Sequence, residues 1–259
     1  MNGGSPFAVK GDPAAYGTIR RMPAPRRLSP PTDRSLGRTV VNLLVALAVL
    51  TGVLVAIGWL ITHPLKTTMA HENAINRWFA GERTSGLTDV ADMGTFIGET
   101  LHGGIVLVVL GVVFAVWKRT WWPIVFVAVL DAGLGLFYLA GTSLDPRQRP
   151  PVRILQTGLV PDASFPSGHT GTAVGIAAAA AALLWAYTRV PKALLVVLVV
   201  IPLWTMLARL YAGAHHLSDV LTELVVASLW IWICARLLLP ARDSSPALEP
   251  ARDEASARA

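Results

Sequence analysis

The stretch SFPSGHTGTAVGIAAAAAALLWAY, residues 164–187, joins a polar beginning to a long apolar run. Residues 169–187 include no Asp, Glu, Lys or Arg, and the run is close to the roughly 20 residues with which a helix crosses the hydrocarbon core of a bilayer. The alanines at 177–182 leave room for a neighbouring helix to approach closely. This stretch therefore predicts a membrane-spanning helix with polar groups in its first turn.

The composition of the whole chain extends this prediction. Of its 259 residues, 53% are hydrophobic and 15% are charged, whereas about 25% are charged in a typical soluble domain. Other runs of similar apolarity lie on both sides of residues 169–187 and are joined by short connections. The predicted fold class is all-α, a polytopic bundle of six transmembrane helices at residues 39–62, 103–117 (beginning nearer residue 97), 121–140, 169–187, 193–211 and 219–239.

Two tails flank the predicted membrane domain, which covers residues 39–240. Residues 1–38 are rich in Pro, Gly, Ser and Arg, and residues 241–259 in Ala, Arg, Glu, Asp and Pro, so both are predicted to be disordered. Basic residues cluster in the first tail, after the second and fourth spans, and at the end of the sixth span. Basic flanks mark the cytoplasmic side, so both termini are expected in the cytoplasm and the opposite loops outside the plasma membrane.

Charge and cysteine content exclude several other classes of protein. The net charge of +6 is concentrated in the first tail, where it favours attraction to anionic membrane lipid over binding to nucleic acid. The single cysteine, Cys234, excludes an intramolecular disulfide framework and a cysteine metal site. No cleavable signal peptide is expected, because the first apolar run is too long and begins too far from Met1.

Three polar segments lie at span ends on the predicted extracytoplasmic side. They read DPRQRPPVR at residues 145–153, SFPSGHT at 164–170, and ARLYAGAHHLSD at 208–219. The middle segment opens the fourth span, where the free backbone N–H groups and partial positive charge of a helix start favour an anion. Gly168 lets a ligand approach the backbone, Ser167 adds a hydroxyl, and His169 can give or take a proton. The alternative for this segment alone is an ordinary serine cap beside an interfacial histidine.

The third segment carries a histidine and a carboxylate on one helical face. His215 and Asp219 are four positions apart, and a carboxylate that accepts one imidazole N–H leaves the other ring nitrogen free as a nucleophile or base. Arg209, at the end of the fifth span, can bring a guanidinium to a phosphate bound beside His215. The alternative is a set of interfacial charges at span ends.

The first segment contributes further arginines. Arg149 precedes two prolines that stiffen the chain, and it is a candidate second phosphate clamp. Taken alone, a solvated loop arginine is the more usual role for such a residue. Arg147 and Arg153 are assigned that solvated role.

In combination, the order Arg-Pro, Pro-Ser-Gly-His and Arg-x5-His-x3-Asp resembles the type-2 phosphatidic acid phosphatase superfamily over roughly residues 97–236. The motifs of that family are Lys-x6-Arg-Pro, Pro-Ser-Gly-His and Ser-Arg-x5-His-x3-Asp. The resemblance implies hydrolysis of a lipid phosphate or isoprenyl pyrophosphate, of the phosphatidic acid, phosphatidylglycerol phosphate or undecaprenyl and decaprenyl pyrophosphate class. It implies no metal and no other cofactor, and it leaves the oligomeric state open.

The resemblance also implies three catalytic roles. His215 is expected to attack phosphorus and form a phosphohistidine, and His169 to protonate the leaving group as general acid. Asp219 is expected to orient His215, after which water releases phosphate.

Four further residues match the positions with which the family binds phosphate. Arg149 and Arg209 are expected to clamp the phosphate oxygens with their guanidinium groups. Ser167 and Gly168 are expected to donate hydrogen bonds to the same oxygens.

Two positions depart from the motifs, and they keep other functions open. The motif lysine falls at Thr142 and the motif serine at Ala208, and loss of the lysine removes one donor to charge that develops during the reaction. These departures motivate a non-catalytic lipid-phosphate-binding protein as the alternative. Asp131 and Glu223, acidic residues within predicted spans, motivate a transporter subunit as the lower-ranked one. His216 faces away from His215 and is assigned a structural role.

Overall fold

The computed structural model describes residues 36–241, and these form helices joined by turns and loops, with one isolated β-bridge. Both predicted disordered tails lie outside the described residues, apart from 36–38 and residue 241. Six helical segments are long and apolar enough to cross a membrane, which confirms the all-α, six-span fold. They are Leu36–Thr62 (α1), Thr100–Lys118 (α5), Trp122–Leu144 (α6), Gly168–Tyr187 (α7), Lys192–Tyr211 and Leu217–Leu238 (α10).

The spans differ from the prediction mainly at their ends. Helix α1 begins at Leu36, inside the segment predicted as tail, and α6 continues to Leu144 beyond the predicted end at residue 140. The fifth span is divided into Lys192–Leu195 (α8), a 3-10 turn at Val196–Val199, and Val200–Tyr211 (α9). Pro202 explains this division, because a proline ring clashes with the carbonyl four residues earlier and removes one helical hydrogen bond.

The connection between α1 and α5 is largely helical. It consists of Lys66–Met69 (α2), a 3-10 turn at Ala70–Glu72, Asn73–Gly81 (α3) and Ser85–Ile97 (α4). Helix α4 packs along α9, where Thr205 Oγ donates to the Gly94 carbonyl over 2.9 Å. The connection is thereby held against the end of the bundle at which α9 ends and α10 begins.

A continuous apolar core holds the spans together. Its largest fully buried side chains include Leu54 of α1, Phe126, Leu130 and Phe137 of α6, and Trp230 of α10. The Trp230 indole donates to the Leu130 carbonyl over 3.1 Å, so its polar atom is satisfied inside the core. This packing brings the ends of α6 and α9 and the starts of α7 and α10 to one end of the bundle, where the loops 145–167 and 212–216 connect them.

Candidate active site

The loop between α6 and α7 is folded back on itself, so that its two polar segments lie side by side. The Arg147 amide donates to the Asp162 carbonyl over 2.8 Å, and the Ser164 amide donates to the Arg147 carbonyl over 3.0 Å. The Arg149 amide donates to the Pro161 carbonyl over 3.1 Å. The Arg-Pro motif is therefore fixed next to the chain that enters the Pro-Ser-Gly-His motif.

A tight turn brings the third segment to the same place. Gly213 has a φ of 69°, a conformation that glycine adopts without strain, and the Ala214 amide donates to the Arg209 carbonyl over 3.1 Å. The Leu155 amide donates to the Ala212 carbonyl over 3.0 Å and ties this turn to the α6–α7 loop. Arg209 at the end of α9 and His215 before α10 thus return to one end of the bundle.

The three segments meet at a cavity of about 230 Å³. Four of the seven residues predicted for the site line it: Arg149, Gly168, His169 and His215. The other three, Ser167, Arg209 and Asp219, are fully buried and are absent from the lining. The remaining wall comes mainly from α6 and α7 and is largely apolar, as in most small-molecule sites.

His215 is held by a backbone carbonyl. Its Nδ1 lies 2.6 Å from the Ser164 carbonyl oxygen, which can only accept, so Nδ1 carries the proton and Nε2 presents a free lone pair. The expectation that Asp219 binds this ring directly is not met, because the Asp219 carboxylate is 3.9 Å from Nδ1. The required tautomer is nonetheless present, because the Ser164 carbonyl selects it.

Asp219 acts on His215 through Ser164. Its Oδ2 accepts from the Ser164 hydroxyl over 2.6 Å and from the His216 amide over 2.8 Å. One residue, Ser164, thus gives its hydroxyl to Asp219 and its carbonyl to His215. His216 is the N-cap residue of α10 and does not line the cavity, in keeping with its predicted structural role.

The prediction that Arg147 is a solvated loop arginine is wrong. Its side chain is buried and bridges Asp219 and Glu72, with Nη2 2.6 Å from the Glu72 carboxylate. Arg153, in the same proline-rich loop, is exposed as predicted. The local sequence does not distinguish the two arginines, because the partners of Arg147 lie 72 and 75 positions away.

A second group of residues that sequence reasoning missed comes from the connection between α1 and α5. The Glu72 carboxylate accepts from the Ser218 amide over 2.8 Å, and Asn73 Oδ1 lies 3.1 Å from His216 Nε2. The side-chain amide of Asn76 donates from Nδ2 to the His215 carbonyl over 3.0 Å. This group, Glu72, Asn73 and Asn76, clamps the segment that carries His215. No local pattern marks these residues as functional.

Arg149 is oriented by three backbone carbonyls. Its guanidinium donates to Val160 and Ala163, which precede the Pro-Ser-Gly-His motif, and to Ala214, which precedes His215. Burial lowers the pKa of Arg149 below its usual value, and nearby acidic groups oppose the shift. Three of the five guanidinium N–H groups are occupied, so two remain for a ligand in the cavity.

Arg209 and His169 have buried nitrogens that lack a partner. Arg209 donates from Nη1 to Thr95 Oγ over 3.3 Å, but its Nε and Nη2 have no acceptor among the described residues. His169 Nε2 is likewise buried and unpartnered there. A buried donor without an acceptor is costly, so acceptor oxygens placed beside these nitrogens would be favourable.

The start of α7 completes this arrangement. Ser167 caps the helix and accepts from the Thr170 hydroxyl over 3.0 Å. An ideal Cβ at Gly168 would lie 3.0 Å from the Tyr138 ring, so glycine keeps the helix start open at the cavity wall.

The two departures from the motifs lie outside the cavity lining. Thr142 is in the last turn of α6, and its hydroxyl donates to the Tyr138 carbonyl over 2.8 Å. Ala208 is buried in a small cluster with Ala91 and Tyr211. Within residues 36–241, no group of three or more His, Cys, Asp or Glu side chains could hold a metal ion.

The protonation state of His215 provides a direct test of this geometry. Burial, followed by the nearby Arg209 guanidinium, lowers the pKa of His215 well below its usual 6.5, although Asp219 acts in the opposite direction. We expect imidazole NMR to show His215 neutral, with the proton on Nδ1, as the pH falls through 6.5. The unfolded chain takes up this proton near pH 6.5, so acid below that value favours unfolding. A His215 signal that titrates at or above pH 6.5, assigned by its loss in His215→Ala, would contradict the structure.

The sequence profile of the PAP2 superfamily matches residues 120–243. Among solved structures, the chain is similar to the crystal structure described as the first transmembrane PAP2 type phosphatidylglycerolphosphate phosphatase from Bacillus subtilis. The TM-score is 0.59 and the identity 21%, over 75% of this chain and 92% of that chain, which establishes a shared fold. No curated protein matches the sequence significantly.

Proposed function

We propose that this chain, whose residues 120–243 match the sequence profile of the PAP2 superfamily, is a membrane phosphatase that removes phosphate from a lipid phosphate or lipid pyrophosphate. The proposal rests on two observations taken together. His215 Nε2 has a free lone pair, and buried nitrogens of Arg209 and His169 lack a hydrogen-bond partner among the described residues. A nucleophile on the cavity wall with anion-binding groups close to it suits phosphoryl transfer, in which catalysis is mainly positioning and charge stabilisation. The similar Bacillus subtilis protein is described as a phosphatidylglycerolphosphate phosphatase, an activity that is compatible with this class.

The proposed reaction has two steps. In the first, His215 Nε2 attacks phosphorus while the guanidinium groups of Arg149 and Arg209 bind the phosphate oxygens. The P–N bond forms as the P–O bond to the lipid breaks, and His169 donates a proton to the leaving oxygen. In the second step water attacks phosphorus, His169 takes a proton from that water, and the P–N bond breaks to release inorganic phosphate. Besides the lipid and water, each step uses only side chains of this chain, so we propose that the reaction needs no metal.

The proposed topology places the cavity on the outer face of the plasma membrane and both termini in the cytoplasm. Lys118 ends α5, Arg119 follows in the turn to α6, and the turn before α8 contains Arg189. These turns lie at the end of the bundle opposite the cavity. Basic turns favour the cytoplasmic side, which supports an extracytoplasmic cavity.

Phosphate release from purified protein tests the function. The protein in detergent is offered phosphatidic acid, phosphatidylglycerol phosphate and undecaprenyl pyrophosphate, with and without a chelator. We expect release from at least one lipid at a rate that the chelator does not change. Binding of these lipids without any release would instead support the non-catalytic binding protein, which Thr142 and Ala208 favour.

Substitution Thr142→Lys is expected to raise kcat/KM by up to about tenfold. Thr142 follows Tyr138, a cavity-lining residue, by one helical turn, and a lysine there adds a flexible positive charge near the phosphate. The measurement is steady-state hydrolysis of the best lipid from the panel. Thr142→Met, which has a long neutral side chain, is the matched control and should leave kcat/KM within about twofold. Equal effects of lysine and methionine would show that charge at this position is not limiting.

A further inference from the structure

A carboxyl group that the proposed mechanism does not use lines the same cavity. Glu223 of α10 is 2% exposed and shares the cavity wall with His169 and His215. Its Oε2 has no hydrogen-bond partner, and no cation lies within ion-pair distance of it among the described residues. A buried carboxyl without a partner is unfavourable, so the cavity is incomplete at this point until a polar group of a ligand reaches it.

Room for this carboxyl comes from a glycine in α7. An ideal Cβ at Gly171 would lie 2.5 Å from Glu223 Oε1, so any larger residue there would displace the carboxyl. Gly171 follows His169 by two positions, about 3 Å along the helix. Glu223 follows Asp219 by four positions, about 6 Å along α10. The carboxyl therefore lies just to the membrane side of the groups that would bind phosphate.

The leaving part of a lipid phosphate occupies that side of the phosphate. In a glycerol-based lipid, the carbons next to the phosphate ester carry ester or hydroxyl oxygens. An isoprenyl phosphate or a simple alkyl phosphate has only hydrocarbon there. A carboxyl group can accept a hydrogen bond from a hydroxyl and, in its neutral form, can donate one to an ester carbonyl.

We infer that Glu223 is a specificity-determining residue that hydrogen-bonds the oxygen next to the phosphate in a glycerol-based lipid. The preferred substrate class is then glycerolipid phosphates rather than isoprenyl phosphates. A polar group built to pair with a substrate oxygen rejects an analogue that lacks the oxygen, because the polar group is then left unpaired. This inference rests on the proposed phosphatase function and adds the substrate class to it.

The rest of the wall suits the hydrocarbon that follows. Asp131, Leu134, Gly135 and Tyr138 line the cavity at the spacing of one face of α6. The Tyr138 and Leu134 side chains can cover an acyl chain. Asp131 lies two turns beyond Tyr138, about 10 Å deeper along the helix, so it is not positioned beside the first carbons of the lipid.

The test compares two phosphate monoesters. One carries an ester oxygen on the carbon next to the phosphate ester, and the other has only hydrocarbon there. Purified wild type, Glu223→Leu, Glu223→Gln and the control Thr222→Leu are assayed with dioleoylphosphatidic acid and with geranylgeranyl monophosphate, and the ratio of the two kcat/KM values is measured. Wild type should favour phosphatidic acid by at least about tenfold. Glu223→Leu should lower that ratio about tenfold, whereas Glu223→Gln, which keeps a donor and an acceptor, and Thr222→Leu should preserve it.

The possible failures are distinguishable. Equal loss of both activities in Glu223→Leu would overturn the inference and assign Glu223 to a step common to all substrates, such as proton supply to His169. A wild type that hydrolyses geranylgeranyl phosphate as well as phosphatidic acid would overturn the inference while the phosphatase function stands. Absence of phosphate release from either lipid would overturn the proposed function itself.

Discussion

Replacement of His215 by alanine is expected to lower kcat for phosphate release by roughly 10⁴-fold or more. The His215 imidazole lines the cavity, and the hydrogen bond from its Nδ1 to the Ser164 carbonyl leaves Nε2 with a free lone pair. Alanine removes the proposed nucleophile but leaves Arg149, Arg209 and the start of α7 in place. Lipid-phosphate binding should therefore persist in the variant, which a direct binding measurement can follow.

The adjacent histidine provides the matched control. His216 caps α10 and does not line the cavity, and asparagine is a good substitute at a helix N-cap. His216→Asn is therefore expected to retain kcat within about tenfold. If the two variants lost activity equally, His215 would have no role distinct from the stability of this segment.

Arg147→Ala is expected to lower the free energy of unfolding by about 3–5 kcal/mol, because it leaves a buried carboxylate, Asp219, and a largely buried one, Glu72, without their cation. The Asp219 side chain is 0% exposed and the Glu72 side chain 10% exposed, so water compensates little for the loss. The measurement is the midpoint of thermal unfolding in detergent, which should fall by several degrees. Activity should fall as well, since Asp219 holds Ser164, whose carbonyl selects the tautomer of His215.

Arg153→Ala is the control for this prediction. Arg153 lies in the same loop but is exposed, so its loss should change the unfolding free energy by no more than about 0.5 kcal/mol. A midpoint for Arg147→Ala that matches Arg153→Ala would show that the buried ion pairs do not stabilise the folded protein.

The spans and the local motifs were predictable because their information is contained within short stretches of chain. The apolar run after His169 specifies a membrane helix by its length, and Ser167 marks its start as a cap. The predicted topology puts four site residues on one side of the membrane: Arg149, Gly168, His169 and His215. The structure brings these four residues to one cavity. The resemblance to the PAP2 superfamily, inferred from the motifs, agrees with the profile match to residues 120–243.

The contacts that orient these residues were not predictable in the same way. The spacing of His215 and Asp219 favours a direct hydrogen bond on one helical face, but α10 begins only at Leu217, so His215 lies outside the helix that carries Asp219. Its ring instead reaches a carbonyl 51 positions earlier in the chain. The clamp by Glu72, Asn73 and Asn76 depends on packing between segments more than 130 residues apart. Short sequence patterns do not predict contacts between such distant segments.

The stereochemical course of the reaction tests the central claim, covalent transfer of phosphate to His215, most directly. A thiophosphate ester of the lipid, made chiral at phosphorus with oxygen isotopes, is hydrolysed in isotopically labelled water, and the configuration of the released thiophosphate is determined. Two successive in-line displacements, first by His215 and then by water, predict overall retention of configuration. Inversion would show a single direct attack by water and would contradict the phosphohistidine mechanism.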